Sequence, residues 1–216
     1  MDIQEIMKRV DHTVLSPTAT TEDIEQCVED AVAFGCATAM VPPCFVDQAY
    51  AVSGGRIPIA TVIGFPHGNS TTAAKVAEAA DAVANGASEI DMVANISWIK
   101  DGRWAGVEND IRQVKEAIGG RCLKVIIECC LLSPLEQIEM CRVCAAAGAD
   151  YIKTSTGFST GGATADNVRR LTENAPDGLR VKAAGGISGF EDATLFIELG
   201  AERLGTSKLV KIAKEG

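Results

Sequence analysis

The feature that most constrains the fold of this chain is a repeated joint between a helix and a strand. At each joint a helical pattern ends in glycine and a short apolar segment follows. Gly35, Gly86, Gly148 and Gly200 each lie at such a joint. Glycine ends a helix at low cost because it readily adopts the left-handed conformation, and the loop to a following strand is short. The repeat therefore predicts helices and strands that alternate along the chain, as they do around a parallel sheet.

Eight short apolar segments are candidate strands, and a candidate helix follows each of them. Capping sequences mark two of the helix starts: Ser133 and Pro134 with Glu136, and Ser188 with Glu191 at the same spacing. The pattern is typical of repeated βα units. The predicted strands span residues 10–15, 37–41, 57–63, 90–93, 123–127, 151–153, 179–182 and 203–205.

Eight βα units predict an α/β protein of the (β/α)8 class, a TIM barrel. The length of 216 residues suits one such barrel, and no linker or low-complexity segment divides it, so we expect a single domain over residues 1–216. An open, doubly wound sheet is the alternative fold, since the same alternation serves both. The absence of a G-x-G-x-x-G sequence after the first strand weighs against it.

Composition excludes several classes of function. The formal net charge is −9 and no basic stripe is present, so nucleic-acid binding is not expected. No apolar run is long enough to cross a membrane, and the first residues lack the apolar region of a secretory signal, so we expect a cytoplasmic protein. The eight cysteines include a C-x-x-C pair, Cys141 and Cys144, but no second pair at zinc-finger spacing. We expect them to fill the core as thiols, without a metal site.

Ionisable residues occur where the predicted strands end, which is where the active site of a barrel lies. The fifth residue after the helix-ending glycine is Asp91 in one strand and Lys153 in another, and Lys182 holds the matching place in the seventh strand. A structural ion pair between Asp91 and one lysine would leave the other lysine unexplained. Two lysines with an aspartate favour imine chemistry instead, because a neighbouring ammonium and partial desolvation lower the pKa of a lysine and make it nucleophilic.

Two glycine loops follow the last two strands, at residues 184–187 and 205–207. Backbone amides in such loops and the dipole of a following helix bind anions, and these two loops are the recurring phosphate site of barrel enzymes. Either loop alone is also consistent with a tight turn. Together, and with donors after the sixth strand, they predict a phosphate site formed by Thr156, Gly157, Gly185, Gly186, Gly205, Thr206 and Ser207.

Several other residues have two interpretations. Asp11 and its neighbours end the first strand, where they either face the barrel mouth or cap the strand. We expect His67 to stabilise the loop after the third strand rather than to catalyse. Trp98 and Trp104 are expected to contribute to packing or to an interface.

Segments from the first strand to the last resemble those of the deoxyribose-phosphate aldolase family, and they occur in the family's order. The segments that contain the lysines are the most specific of them. The matching segments are 11–13 (DHT), 64–68 (GFPHG), 89–93 (EIDMV), 124–128 (KVIIE), 151–158 (YIKTSTGF), 181–187 (VKAAGGI) and 203–207 (RLGTS).

The resemblance implies reversible cleavage of 2-deoxy-D-ribose 5-phosphate into D-glyceraldehyde 3-phosphate and acetaldehyde, in deoxyribonucleoside catabolism. It implies that Lys153 forms a Schiff base, that Lys182 lowers the pKa of this lysine and relays protons, and that Asp91 donates and accepts protons. Neither a metal nor another cofactor is implied, since the protonated imine is itself the electron sink. The implied partners are a sugar phosphate, acetaldehyde and further copies of the chain in a homodimer or homotetramer, without nucleic acid or membrane.

The chain departs from the family's pattern at Pro42, at Cys129 and Cys130, and at Lys208, and the sequence ends at Gly216 without the terminal tyrosine of some members. We expect these departures to affect substrate range and rate rather than the class of reaction. Two other functions stay open. One is an imine-forming aldolase for a ketose phosphate or a longer acceptor. The other is a sugar-phosphate sensor without catalysis, whose affinity would survive replacement of the central lysine.

Overall fold

The computed structural model describes residues 1–215, in which eight parallel strands close into one barrel surrounded by helices. Each strand is hydrogen-bonded to the next one along the chain, and β8 pairs with β1. This confirms the (β/α)8 prediction, and the closed sheet excludes the open, doubly wound alternative. The strands are β1 (Val10–Thr13), β2 (Thr38–Val41), β3 (Ile59–Ile63), β4 (Glu89–Val93), β5 (Cys122–Ile126), β6 (Tyr151–Lys153), β7 (Arg180–Ala184) and β8 (Arg203–Thr206).

The helices form the outer layer of the barrel. One short helix precedes β1, and at least one helix follows every strand. Two 3-10 turns, Pro43–Phe45 and Cys129–Leu131, lie in the loops after β2 and β5. The helices are α1 (Ile3–Met7), α2 (Thr21–Ala33), α3 (Val46–Ser53), α4 (Thr72–Ala84), α5 (Ile96–Lys100), α6 (Trp104–Ala117), α7 (Pro134–Ala146), α8 (Ala165–Asn174), α9 (Phe190–Glu198) and α10 (Leu209–Glu215).

Of the two predicted helix starts, one is confirmed and one is wrong. At α7 the Ser133 hydroxyl accepts from the amide of Glu136, whose carboxylate accepts from the amide of Ser133 at 2.7 Å. The box predicted for Ser188 and Glu191 does not form. Helix α9 begins one residue later than expected, so that the Ser188 amide donates to the carboxylate of Asp192 at 2.8 Å.

The predicted strands differ from the observed ones only at their ends. The third strand begins at Ile59 rather than at residue 57. Pro58 has no amide hydrogen to donate to a neighbouring strand, and only its carbonyl takes part, accepting from the amide of Ala39 at 3.1 Å. The first strand ends at Thr13, two residues earlier than expected, because the chain there turns into the loop that leads to α2.

Aliphatic side chains between the sheet and the helices form the main core, which also contains a buried ion pair. Lys75 of α4 donates to the carboxylate of Asp110 of α6 at 2.7 Å and to the carbonyl of Val93 at 3.0 Å. Both charged side chains are buried, so each needs the other to offset the cost of desolvation. The pair thereby ties two helices to the carboxyl end of β4.

The eight cysteines are free thiols, and the expectation that they fill the core holds for five of them. Cys122 is half-buried. The expectation is wrong for Cys44 and Cys130, which are exposed in the loops after β2 and β5. Residues 1–215 contain no cluster of three or more His, Cys, Asp or Glu side chains arranged to hold a metal ion. Within the same residues no helix combines the length and the apolar character needed to cross a membrane.

Candidate active site

The three predicted catalytic residues meet inside the barrel. Lys153 on β6 and Lys182 on β7 are partners in the strand register, and Asp91 points inward from β4. One oxygen of Asp91, Oδ2, accepts from the Nζ atoms of both lysines at 2.7 Å. All three residues are buried. The spacing of polar residues in the sequence therefore identified side chains that are in direct contact.

A third lysine, Lys124 on β5, belongs to the same cluster and was not among the predicted site residues. Its Nζ donates to Asp91 Oδ1 at 2.9 Å and lies 2.5 Å from Glu89 Oε2. The sequence contained the signal for it. Lys124 is the fifth residue after Gly119, and this is the spacing that identified Lys153.

Asp11 lies inside the barrel, below the cavity at the mouth, which excludes the interpretation that it caps the first strand. Its carboxylate accepts from Lys182, from the Thr38 hydroxyl at 2.8 Å and from the Arg203 guanidinium at 2.6 Å. Arg203 also donates to Glu89 at 3.1 Å. The ion pairs therefore form a closed network across the barrel, and Asp11 is part of the interior rather than a cap of the first strand.

The balance of charge in this network determines which lysine loses its proton. With every group ionised, the network within residues 1–215 carries four positive and three negative charges, so one positive charge is in excess. In the described part of the chain Lys153 has one carboxylate within 4.0 Å, whereas Lys182 has two and Lys124 three. Lys153 therefore loses its proton most easily. The cations are Lys124, Lys153, Lys182 and Arg203, and the carboxylates are Asp11, Glu89 and Asp91.

The direction of each pKa shift agrees with this distribution of partners. Burial above all, with a contribution from the Lys182 ammonium, lowers the pKa of Lys153 to about 8 against the opposing effect of Asp91. Burial would lower the pKa of Lys124 too, but its three carboxylates hold it well above the ordinary value. Burial would raise the pKa of Asp91, and the three lysines around it hold that pKa well below the usual range. Near neutral pH the site thus combines the Asp91 carboxylate, the Lys124 ammonium and one lysine, Lys153, that readily becomes neutral.

A cavity of about 530 Å³ opens above Lys153 at the carboxyl ends of the strands. Lys153 lines this cavity, while Asp91 and Lys182 are buried beneath it. Lys208 lines it as well. The structure brings all the residues predicted to bind phosphate to the wall of the same cavity, namely Thr156, Gly157, Gly185, Gly186, Gly205, Thr206 and Ser207.

Glycine conformation shapes the loop after β7. Gly185 and Gly186 both have φ of +75°, which other residues adopt only with strain. The loop after β6 lies across them, and the amide of Ala163 donates to the carbonyl of Gly185 at 3.0 Å. A Cβ atom on Gly162 would lie 2.5 Å from the carbonyl carbon of Gly185. These glycines therefore permit two loops to pack closely at the cavity wall.

Glu128, which the sequence analysis did not single out, positions the loop after β6. It is a non-glycine residue with φ of +50°, in the left-handed region. Its buried carboxylate accepts from the backbone amide of Thr156 at 3.3 Å and from the hydroxyl of the same residue. The contact joins the ends of β5 and β6. No spacing within the sequence predicts it, because it depends on how two loops 28 residues apart fold against each other.

The other residues with open interpretations lie at the margin of the site or outside it. His67 is exposed in the loop after β3. In the same loop the Phe65 ring packs edge-on against Phe158, with ring centroids 5.2 Å apart, and Phe158 lines the cavity. Trp98 and Trp104 are partly buried against the main core, which supports the packing interpretation.

A parallel (β/α)8 barrel with a buried lysine cluster beneath its mouth is typical of a barrel aldolase that works through an imine. Comparison with known proteins agrees with this class. Residues 5–202 match the model of the DeoC/LacD family aldolases. The chain therefore belongs to the DeoC/LacD aldolase family, and the resemblance noted in the sequence is confirmed.

Individual relatives extend the match to nearly the full chain. A deoxyribose-phosphate aldolase from Streptococcus pyogenes serotype M4 is 51% identical over 214 residues, which cover 99% of this chain and 96% of the relative. A solved structure of an aldolase called QR15 superposes with a TM-score of 0.93 at 36% identity, covering 97% of this chain and 95% of that one. The deoxyribose phosphate aldolase of Aeropyrum pernix, described as a unique tetrameric structure, superposes with a TM-score of 0.89 at 32% identity. The superposition covers 99% of this chain and 92% of that one.

Proposed function

We propose that this chain is a deoxyribose-phosphate aldolase that cleaves 2-deoxy-D-ribose 5-phosphate reversibly into D-glyceraldehyde 3-phosphate and acetaldehyde. The single observation that carries the proposal is the position of Lys153. It is the lysine of the cluster that has the fewest carboxylate partners in the described chain and also lines the cavity. The full-length identity to the streptococcal enzyme supports the choice of substrate.

The proposed reaction begins with attack of neutral Lys153 on C1 of the open-chain sugar, which forms the C–N bond of a carbinolamine. Asp91 and Lys182, which share a hydrogen bond of 2.7 Å, are proposed to supply and remove the protons that release water and leave a protonated imine. In the resting enzyme the Lys182 ammonium is also proposed to add to the effect of burial in keeping the pKa of Lys153 low.

The imine then accepts the electrons of the breaking C2–C3 bond while the C3 hydroxyl loses its proton. This step releases D-glyceraldehyde 3-phosphate and leaves an enamine on Lys153. Protonation of the enamine at C2 and addition of water to the resulting imine release acetaldehyde and regenerate the amine. Asp91 is proposed to carry these protons through water, since it is buried beneath the cavity and touches Lys153 directly.

The glycine loops are proposed to hold the phosphate at the far end of the substrate. Thr156, Gly157 and the loops after β7 and β8 line one side of the cavity, where backbone amides and hydroxyls can bind an anion despite the acidic charge of the whole chain. The set comprises Thr156, Gly157, Gly185, Gly186, Gly205, Thr206 and Ser207. We propose no metal and no other cofactor for the reaction.

Trapping of the imine tests the proposal. The protein is incubated with acetaldehyde and borohydride, and the modified peptide is mapped by mass spectrometry. We expect one two-carbon adduct, on Lys153. The Lys153→Leu variant should lose the adduct and its aldolase activity should fall on the order of 10⁴-fold or more, as for loss of other catalytic nucleophiles. Lys208→Leu, which removes another lysine at the cavity wall, should retain the adduct.

Two results would contradict the proposal. One is an unmodified wild-type protein or an adduct spread over surface lysines. The other is the behaviour of a sensor, in which the wild type shows no turnover and Lys153→Leu binds 2-deoxy-D-ribose 5-phosphate as tightly as the wild type. Turnover of a ketose phosphate in preference to the deoxyribose phosphate would assign the chain to a different imine-forming aldolase.

We further propose that residues 1–216 form a single catalytic domain, that the enzyme is cytoplasmic, and that it assembles as a homodimer or homotetramer. The closed barrel, which uses strands from residue 10 to residue 206, supports the single domain. The tetramer described for the Aeropyrum pernix relative supports the assembly of several copies.

A further inference from the structure

The ion-pair network that contains Lys153 extends to the opposite end of the barrel. Glu89 and Arg203 are the first residues of β4 and β8, and their side chains are 15% and 14% exposed. We call these two residues the floor pair. They lie two residues before Asp91 and Gly205 on their strands, on the same face of the sheet, and are therefore displaced from the mouth towards the amino-terminal end.

Two chains of direct contacts connect Lys153 to the floor pair. The first runs from Lys153 through Asp91 and Lys124 to Glu89, over contacts of 2.7, 2.9 and 2.5 Å. The second runs from Asp91 through Lys182 and Asp11 to Arg203 and ends in a contact of 2.6 Å. The intervening side chains are no more than 1% exposed. Charges act strongly on one another in such an interior, because little water is present to screen them.

We propose that Glu89 and Arg203 are positioning residues for the aldolase reaction, whose opposite charges set from the floor of the barrel how readily Lys153 becomes neutral at the mouth. The inference rests on the proposed function of Lys153. Arg203 is always protonated and supplies the positive charge that is in excess. Without it, three lysines would face three carboxylates and all could remain charged. Glu89 offsets one of the positive charges beside Lys124 and so limits how far the excess lowers the pKa of Lys153. Without Glu89, Lys124 would still contact two carboxylates and Lys153 only one, so Lys153 would remain the lysine that loses its proton.

The titratable groups beside the network include a thiol and a phenol, which are uncharged near neutral pH, and the Arg180 guanidinium, which is charged but lies outside the network. Burial raises the pKa of the Cys122 thiol on β5 to about 11 and also raises the pKa of the Tyr151 phenol on β6. Arg180 on β7 stacks on the Tyr151 ring at 4.0 Å and forms no ion pair with the network within residues 1–215. On β2 the neighbour is the uncharged Thr38. The charged members of the network are therefore Asp11, Glu89, Asp91, Lys124, Lys153, Lys182 and Arg203.

The experiment measures how kcat/KM for cleavage of 2-deoxy-D-ribose 5-phosphate depends on pH, since its acid limb reports protonation of Lys153 in the free enzyme. Glu89→Gln raises the excess charge from one to two, so the acid limb should move to lower pH by about half a unit to one unit. Arg203→Gln removes the excess and should move the limb upward by a similar amount. The double variant should return close to the wild-type profile.

Two control variants distinguish an effect of charge on the acid limb from an effect of structural damage to the barrel. Arg203→Lys keeps the charge and should keep the wild-type acid limb. Arg180→Gln removes a positive charge from the same end of the barrel, outside the network, and should leave the limb in place. The pH dependence of acetaldehyde and borohydride trapping on Lys153 gives the same information for any variant whose turnover is too slow to measure.

Opposite shifts for the two single variants, restored in the double variant, support the proposal. Shifts in the same direction, no shift in folded variants, or an equal shift in Arg203→Lys and Arg203→Gln would overturn it. These failures differ from failure of the proposed function, in which the wild-type protein itself forms no adduct on Lys153.

Discussion

Lys153 and Lys182 are side chains of the same type on neighbouring strands, and we propose that their different surroundings divide two tasks between them. Lys182 touches two carboxylates within the described residues and lies below the cavity. Lys153 touches one carboxylate there and lines the cavity. Imine formation needs a lysine that readily becomes neutral, and a neighbouring positively charged group favours that state. The difference results from partners and position, not from residue type.

A pH profile tests this division. The amine of Lys153 must be neutral to attack, and its pKa is lowered to about 8, so kcat/KM should fall as the pH drops below about 8. Lys182→Leu removes a positive charge beside Lys153, which raises the pKa of Lys153 and should move the acid limb upward by about one unit or more. Lys208→Leu, a lysine outside the cluster, should leave the limb in place. An unchanged profile in Lys182→Leu would refute the role of Lys182.

The sequence predicted part of this cluster and missed part of it for a physical reason. Asp91 and Lys153 follow from local spacing, and so does Lys124 once the rule is applied to Gly119. Asp11 and Glu89 do not follow from it, because their contacts depend on strands far apart in the chain. The excess of one positive charge appears only when the six strands that carry these side chains, β1 and β4 to β8, are in register.

At the scale of elements, the strands and helices were predictable and their ends were less so. Helix-ending glycines and the capping box at Ser133 are local signals, and the structure contains both. The helix start predicted at Ser188 was wrong because two adjacent acidic residues, Glu191 and Asp192, can each accept from the Ser188 amide. In the structure Asp192 accepts. The left-handed backbone of Glu128 is a further feature that local signals do not predict, since the contact that holds this residue comes from another loop.

The loop after β7 allows the proposed phosphate site to be tested at this scale. Gly185→Ala places a Cβ about 3.2 Å from the Cα of Gly162 at a φ of +75°, so the loop must shift. We expect KM for 2-deoxy-D-ribose 5-phosphate to rise about tenfold, which corresponds to about 1.4 kcal/mol of lost binding. Activity on unphosphorylated 2-deoxyribose should change little. Steady-state kinetics with both substrates measure the difference.

Gly189→Ala is the matched control for this prediction. Gly189 has extended backbone with φ of −170°, and a Cβ there meets no atom within 4 Å. Its kinetics should match those of the wild type. An equal loss of activity on both substrates in Gly185→Ala would show that the loop supports the barrel rather than binding phosphate.

At the scale of the whole molecule, family membership and the proposed activity rest on agreement along the entire chain. The relative from Streptococcus pyogenes matches 99% of it, and the segments that carry the likeness extend from β1 to β8. The closed barrel was predictable because each βα unit has its own local signals. The number of copies in the assembly could not be predicted from the sequence, since it depends on surfaces that lack such local signals.

Light scattering coupled to size exclusion tests the proposed assembly. We expect a molar mass of two or four chains, constant over a dilution series down to micromolar protein. Two large apolar side chains are exposed near each other in the sequence, Leu131 at the end of the 3-10 turn after β5 and Leu135 in the first turn of α7. They are consistent with self-association, because burial of exposed apolar surface is favourable. A mass of one chain throughout the series would contradict the prediction.

The charged network also has a consequence for how this enzyme can change over evolution or in the laboratory. It occupies the centre of the barrel, where other barrels pack branched aliphatic side chains. The residues proposed for catalysis are therefore also the packing of the innermost layer, and we expect that replacing them by apolar residues to gain thermal tolerance would abolish the activity. We therefore expect substitutions that raise heat resistance without loss of activity to lie in the layer between sheet and helices rather than in the centre.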